Sequence, residues 1–79
     1  MIVTHDNRNH AAACVAAEGT RQQEVSAAIV AGGGSATVAA AVRAAEIKFY
    51  RALRDSAMAN GQQSAQFYQA LRDLGTGGA

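Results

Sequence analysis

The clearest pattern of apolar and polar positions lies between residues 36 and 59. Projected at about 100° per residue, Val38, Val42, Ala45, Phe49, Ala52 and Leu53 fall within one arc of a helical wheel. Arg43, Lys48, Arg51, Arg54 and Asp55 fall on the other side. The apolar positions advance by four, three, four and three residues, which suits packing against an antiparallel neighbour. Ser35 is placed as the N-cap of this helix, and Asn60 with Gly61 as its left-handed stop.

A second helix is predicted upstream, over about residues 8–31. Asn9 is a candidate cap for a start near His10, and Gly32, Gly33 and Gly34 end the segment. Its middle is ambiguous. Thr20 and Gln23 have the spacing of a capping box, so Gly19 marks either a turn or a glycine inside one long helix. A continuous, kinked helix is the favoured reading. Its inward stripe is then Ala11, Val15, Glu18, Gln22, Val25 and Ile29, polar in its middle. A third, short helix follows over 64–74, capped by Ser64, with Phe67, Ala70, Leu71 and Leu74 as its apolar stripe and Gly75 as its end.

The expected architecture is therefore all-α: a helical hairpin of two long helices plus a short C-terminal helix, one domain over 1–79. A polar leader (1–9) precedes it and a flexible Gly-rich tail (75–79) follows. One internal repeat is visible. Phe49, Tyr50, Ala52, Leu53, Arg54 and Asp55 recur as Phe67, Tyr68, Ala70, Leu71, Arg72 and Asp73, six of seven positions at an offset of 18. An unbroken helix would show both copies on one face, and the stop at Asn60–Gly61 predicts a bend instead. Two amphipathic helices meeting similar neighbours explain the repeat; so does a pair of equivalent docking surfaces.

Composition changes the picture by limiting the core. Twenty of the 79 residues are alanine, and no proline and a single cysteine are present. Alanine favours helices but buries little surface, and a core this small rarely supplies more than about 3 to 5 kcal/mol. No intrachain disulfide can compensate, which leaves association, with itself or with a protein partner, as the expected source of stability. A homo-oligomer is expected on this ground.

Charge and hydropathy exclude further classes. Seven basic and six acidic side chains, mixed along the chain, give a net charge of +1, which argues against a general nucleic-acid or membrane-surface binder. No stretch approaches the roughly 20 apolar residues of a membrane span. Met1, Ile2 and Val3 run straight into Thr4, His5 and Asp6, without the basic start and apolar run of a signal peptide. A cytoplasmic location, bacterial or virus-derived, is the expectation.

Candidate chemistry is sparse. His10 and Cys14 share a helix face and are soft-metal ligands, with His5 and Asp6 nearby, but no second pair completes a four-ligand shell. The preferred reading makes Cys14 a small buried hydrophobe and the histidines solvated. Gly32–Gly34 before Ser35 lacks the preceding strand and the lysine of a phosphate-binding loop and reads as a hinge. No Ser, His and acid set is placed by the helices, so neither catalysis nor a metal or cofactor is expected.

The polar side of the long helix carries Arg43, Ile47, Tyr50, Arg54 and Met58, with apolar residues where water is expected. Together with Tyr68 and Arg72, the repeat counterparts of Tyr50 and Arg54, they form a candidate interaction surface, since Arg, Tyr and Met are enriched at interface centres. Cover by another part of the chain accounts for them equally. The function expected is a non-enzymatic protein–protein interaction module, in the style of phage or mobile-element accessory proteins that act as inhibitor, antirepressor or adaptor. A structural subunit of a virion or filament is the alternative. A helix-turn-helix DNA binder reading with residues 64–74, through Gln66, Gln69 and Arg72, ranks last.

Overall fold

In the computed structural model, residues 5–77 are described, with side-chain surroundings from Arg8 onward; the first four residues of the leader and the last two of the tail lie outside this range. Three helices follow one another: α1 (His5–Ala31), α2 (Ser35–Ala59) and α3 (Ala65–Asp73). The two long helices form a hairpin, and α3 folds back along α2. The molecule is elongated, 50 × 25 × 15 Å.

Each helix stops where its sequence places a glycine after the last turn. At the end of α2, the Gln62 N–H donates to the Ala57 carbonyl (2.7 Å) and the Gly61 N–H to the Met58 carbonyl (3.5 Å), with Gly61 at φ 68°. At the end of α3 the same pair recurs: Thr76 N–H to the Leu71 carbonyl (3.1 Å) and Gly75 N–H to the Arg72 carbonyl (2.9 Å), with Gly75 at φ 86°. Both are Schellman closures, which need a left-handed residue that only glycine supplies without a Cβ clash. The second closure also engages Thr76, at the start of the Gly-rich tail. Thr76 Oγ1 donates to the Leu71 carbonyl (2.9 Å), and Arg43 donates to the carbonyl of Leu74.

Helix starts depart from the expected caps. The N-cap of α2 is Gly34, with Ser35 already helical, and Ser64 caps α3 by position without a side-chain hydrogen bond. Helix α1 begins at His5, so Asn9 lies inside it. Once the packed turns from His10 onward are formed, each added turn costs little.

Helix α1 is continuous through Gly19. Thr20 does not open a capping box; its hydroxyl donates to the carbonyl of Ala16 (3.2 Å), as Ser and Thr do inside helices. Nothing lies within 4 Å of where a Cβ on Gly19 would sit. Gly19→Ala is therefore expected to stabilise the fold by about 0.5–1 kcal/mol. A urea titration reads this as a raised midpoint; a lowered one would mean that α1 bends at Gly19 in solution.

The packed face of α1 is not the expected one. Val15 and Ile29 are 75% and 63% exposed, and Ala11 and Gln22 are exposed as well. The residues that meet the rest of the molecule are His10, Cys14, Ala17, Arg21, Glu24 and Ala28. These also step by four and three, so the helix is rotated by roughly one residue from the stripe predicted. With alanine on every side, α1 has no dominant apolar face of its own. Its rotation is set by α2, whose stripe is well formed.

That stripe behaves largely as read: Ala45 and Leu53 are buried and Val38, Val42 and Phe49 half-buried, with Ala57 buried at its end and Ala52 left at the exposed margin. In α3, Phe67 and Leu71 are buried and Ala70 and Leu74 half-buried. The core of the described residues is thus Ala45, Leu53, Ala57, Phe67 and Leu71. Leu53, Ala57 and Phe67 form one cluster, with Cys14, Ala17, Phe49 and Tyr50 packed around it. The leucines of the internal repeat are both buried, one on each helix.

Candidate functional site

The bend at Gly61 lays α3 beside α2 and brings the two copies of the repeat face to face. Arg54 from the first copy sets its guanidinium over the ring of Tyr68 from the second, 5.5 Å from the centroid, a cation–π arrangement. The Tyr68 hydroxyl donates to Met58 Sδ (3.1 Å), and Arg54 Nε donates to Asp55 Oδ1 (3.0 Å). About three turns further from the bend, Arg43 closes the seam on the carbonyl of Leu74, the C-cap of α3.

Of the seven surface candidates, Arg43, Arg54, Met58 and Tyr68 are therefore joined by contacts along the α2–α3 seam. Tyr50 is half-buried with its ring edge-on to Phe49 (5.1 Å), and Ile47 is half-buried. Arg72 stays exposed and donates to Gln69 Oε1 (2.9 Å), whose amide in turn donates to Asp73 (2.9 Å). Met58 thus receives part of its cover from α3, through Tyr68. Met58, 56% exposed, remains the large apolar group at the rim of this ridge.

Sequence reasoning missed a polar cluster between α1 and α2 beside the same bend. His10 is half-buried and engaged: its Nδ1 lies 2.9 Å from Ser56 Oγ and its ring 6.3 Å from that of Phe67. Cys14 Sγ is 3.6 Å from His10 Nε2, and Asn60 Nδ2 donates to the Ser56 carbonyl (2.8 Å). The arrangement ties α1 to α2 beside the bend. Among the described residues no group of three His, Cys, Asp or Glu side chains gathers around it or elsewhere as a metal shell would require. The side chains of His5 and Asp6 lie outside the described residues.

Also missed is a face of α1 and α2 lined by alanine. Lys48 Nζ donates across it to Glu24 Oε2 (2.9 Å). On one side of this bridge, Ala17, Ala45, Phe49 and Ala52 line a recess of about 110 Å³; on the other, Ala27, Ala28, Ala41 and Ala44 line an open one of about 450 Å³. The second oxygen of Glu24, Oε1, is buried and has no hydrogen-bond partner. Alanine at 41, 44, 45 and 52 was visible as a small-residue repeat, but only the rotation of α1 places Ala27 and Ala28 opposite it.

Arg21 lies between these regions, its guanidinium 5.5 Å from the Phe49 centroid and hydrogen-bonded to both carboxylate oxygens of Glu18. Those bonds, with one from Gln22, hold the Glu18 carboxyl below its ordinary value of 4.5. A carboxylate depressed in the folded state contributes stability that is present above the unfolded pKa and lost as pH falls through the folded one. Glu18→Gln is accordingly expected to lower the urea midpoint slightly at neutral pH and to converge with the parent protein below pH 4.5. A difference that persisted undiminished at low pH would remove this account.

No family model matches the chain, and no curated protein or solved structure is similar to it. No helix among the described residues is long and apolar enough to cross a membrane.

Proposed function

We propose that this protein is a non-enzymatic helical interaction module, which works as a homo-oligomer and docks a larger protein on the ridge formed by α2 and α3. The observation that carries this reading is the imbalance of burial. Five side chains are buried in the described residues, while Val15, Ile29, Val30 and Met58 are left largely in water. A chain with so small a core gains most by covering its surface with another protein.

The ridge suits such a partner. Arg54, Tyr68 and Met58 combine a stacked guanidinium, a phenol and a flexible thioether, which adapt to a protein surface better than to a small polar ligand. Size, alanine content and sparse chemistry fit the accessory proteins of phages and other mobile elements, acting in the cytoplasm as inhibitor, antirepressor or adaptor. DNA binding through α3 is less favoured, because Arg72 shares a network with Gln69 and Asp73, whose charge offsets its own.

The test is a photo-crosslinking residue at position 58, in the organism that encodes the chain. A discrete adduct with one larger protein, lost on Tyr68→Ala, supports the reading. Adducts with other copies alone, or with none, overturn the docking of a larger protein. The alanine-lined faces on both long helices also favour a structural subunit; filaments or particles in electron micrographs of the purified protein would select that alternative.

A further inference from the structure

We infer that Asn60–Gly61 is a self-modification site at the bend: when α3 lifts from α2, the Gly61 nitrogen closes on the Asn60 side chain, and the acid that results keeps the bend open. The inference is independent of the docking and homo-oligomer readings above.

The chemistry follows from the pair of residues. An asparagine side chain can close a five-membered ring with the backbone nitrogen that follows it, and glycine, having no side chain, leaves that nitrogen unhindered. The Gly61 amide, its proton taken by solvent hydroxide, attacks Asn60 Cγ. The new C–N bond forms, the Cγ–Nδ2 bond breaks, and Nδ2 leaves as ammonia. Water then opens the cyclic imide at Cγ, giving aspartate, or at the backbone carbonyl, giving isoaspartate with the main chain routed through Cβ and Cγ. Water is taken up, ammonia is released and no electrons are exchanged. The other two asparagines, Asn7 and Asn9, stand inside α1 before Arg8 and His10, where a helical backbone and a large following residue oppose the same closure.

The folded bend holds the pair apart. Asn60 has φ −107° and ψ 12°, which eclipses the Gly61 nitrogen with the Asn60 nitrogen and turns it away from Cβ. The Asn60 carboxamide donates to the Ser56 carbonyl (2.8 Å) and reaches Ser56 Oγ (3.4 Å), itself beside His10 Nδ1 (2.9 Å). The bond from Gln62 N–H to the Ala57 carbonyl (2.7 Å) fixes the backbone on the far side of Gly61. Ring closure therefore requires this turn to open, and the frequency of opening is set by how firmly α3 is held.

The product does not close again. An acid at position 60 has no N–H to donate, and its oxygens face the Ser56 carbonyl. Its charge lies at the carboxyl end of α2, where the helix dipole disfavours an anion. Isoaspartate adds a main-chain atom inside the turn and carries Gln62 away from the Ala57 carbonyl. An opening of the bend is thus recorded covalently.

The test keeps the full chain in mildly alkaline buffer, with and without urea, and follows the tryptic peptide 55–72 by mass spectrometry. In urea this peptide shows the small mass gain of an amide turned acid; in the folded chain the gain is slower by about tenfold or more. Leu71→Ala moves the folded rate toward the urea rate. Tyr68→Ala, a change at the ridge that leaves the core intact, raises it in the same direction. Asn60→Gln, whose ring would be larger by one atom, stays unmodified in both conditions. Aged chains, separated from the parent by their added negative charge, are cleaved faster in 60–64 while the circular dichroism of α1 and α2 is kept, and Asn60→Asp behaves likewise.

Mass gain at Asn7 or Asn9 with none at Asn60 overturns the site. Equal rates with and without urea overturn its control by the bend. Aged chains and Asn60→Asp that resist cleavage as well as the parent overturn the claim that the acid keeps the bend open.

Discussion

Leu71→Ala is expected to release α3 from the hairpin. Leu71 is fully buried, on a helix of nine residues that is too short to persist alone in water. Truncating a buried leucine costs about 2–5 kcal/mol, which is comparable to the whole stability a core of this size provides. Its backbone carbonyl also accepts the two bonds from Thr76 that close the end of α3, so loosening the side chain exposes that closure. The expected result is a loss of helical signal corresponding to α3, with α1 and α2 retained, and new proteolytic cleavage in the connection 60–64. Limited proteolysis with mass spectrometry reads it directly. A variant as resistant as the parent protein would mean that α3 is held by its ridge contacts, Arg54 on Tyr68 and Arg43 on Leu74, rather than by its core side.

Ala57→Asp is expected to be more damaging still. Ala57 has no accessible surface and lies in the cluster with Leu53 and Phe67, with Cys14, Ala17, Phe49 and Tyr50 packed around it. A carboxylate there is desolvated and unpaired, a change that costs on the order of 3–5 kcal/mol where it has been measured in buried pairs deprived of one partner. Ala57 also gives its carbonyl to Gln62 in the closure of α2, so the strain falls on the bend that places α3. The chain should populate an unfolded or molten form at neutral pH and partly recover in acid, as the new carboxyl becomes neutral. Ala40→Asp, the same change at an exposed position of the same helix, is the control and should shift stability by no more than about 0.5 kcal/mol. Thermal melts of both variants at two pH values decide the matter; equal effects at positions 40 and 57 would mean that the core is not where the structure places it.

Both expectations depend on residues that could be read from sequence to very different degrees. Leu71 was legible because Phe67, Ala70, Leu71 and Leu74 repeat at helical spacing and nothing in so short a helix competes with that face. The glycine stops were legible for a local reason too: a left-handed residue is needed within one turn of the helix end, and Gly61 and Gly75 stand there. Ala57 was not. A methyl group carries no directional signal in a chain with twenty alanines, and its burial comes from α1 and α3 meeting at that point.

The candidate surface divides along the same line. Arg43, Tyr50, Arg54 and Met58 could be placed on one side of α2, and the repeat suggested that Tyr68 and Arg72 belong with them. That Arg54 stacks on Tyr68, while Arg72 stays with Gln69, depends on where the bend points α3. His10 and Glu24 show the limit most clearly. His10 was read as solvated and Glu24 carried no signal of its own, yet both face α2, one beside Ser56 and the other across from Lys48.

Local rules were enough to determine an all-α chain, two long helices and a short one, the glycine that ends each of them, and the inward faces of α2 and α3, because those features follow from periodicity and backbone conformation within a few residues. The rotation of α1, and with it the alanine-lined face and the unpartnered oxygen of Glu24, was decided only by tertiary packing. A helix made of alanine interspersed with polar groups has nearly equal claims on every rotation, and the choice falls to the neighbour with the stronger pattern.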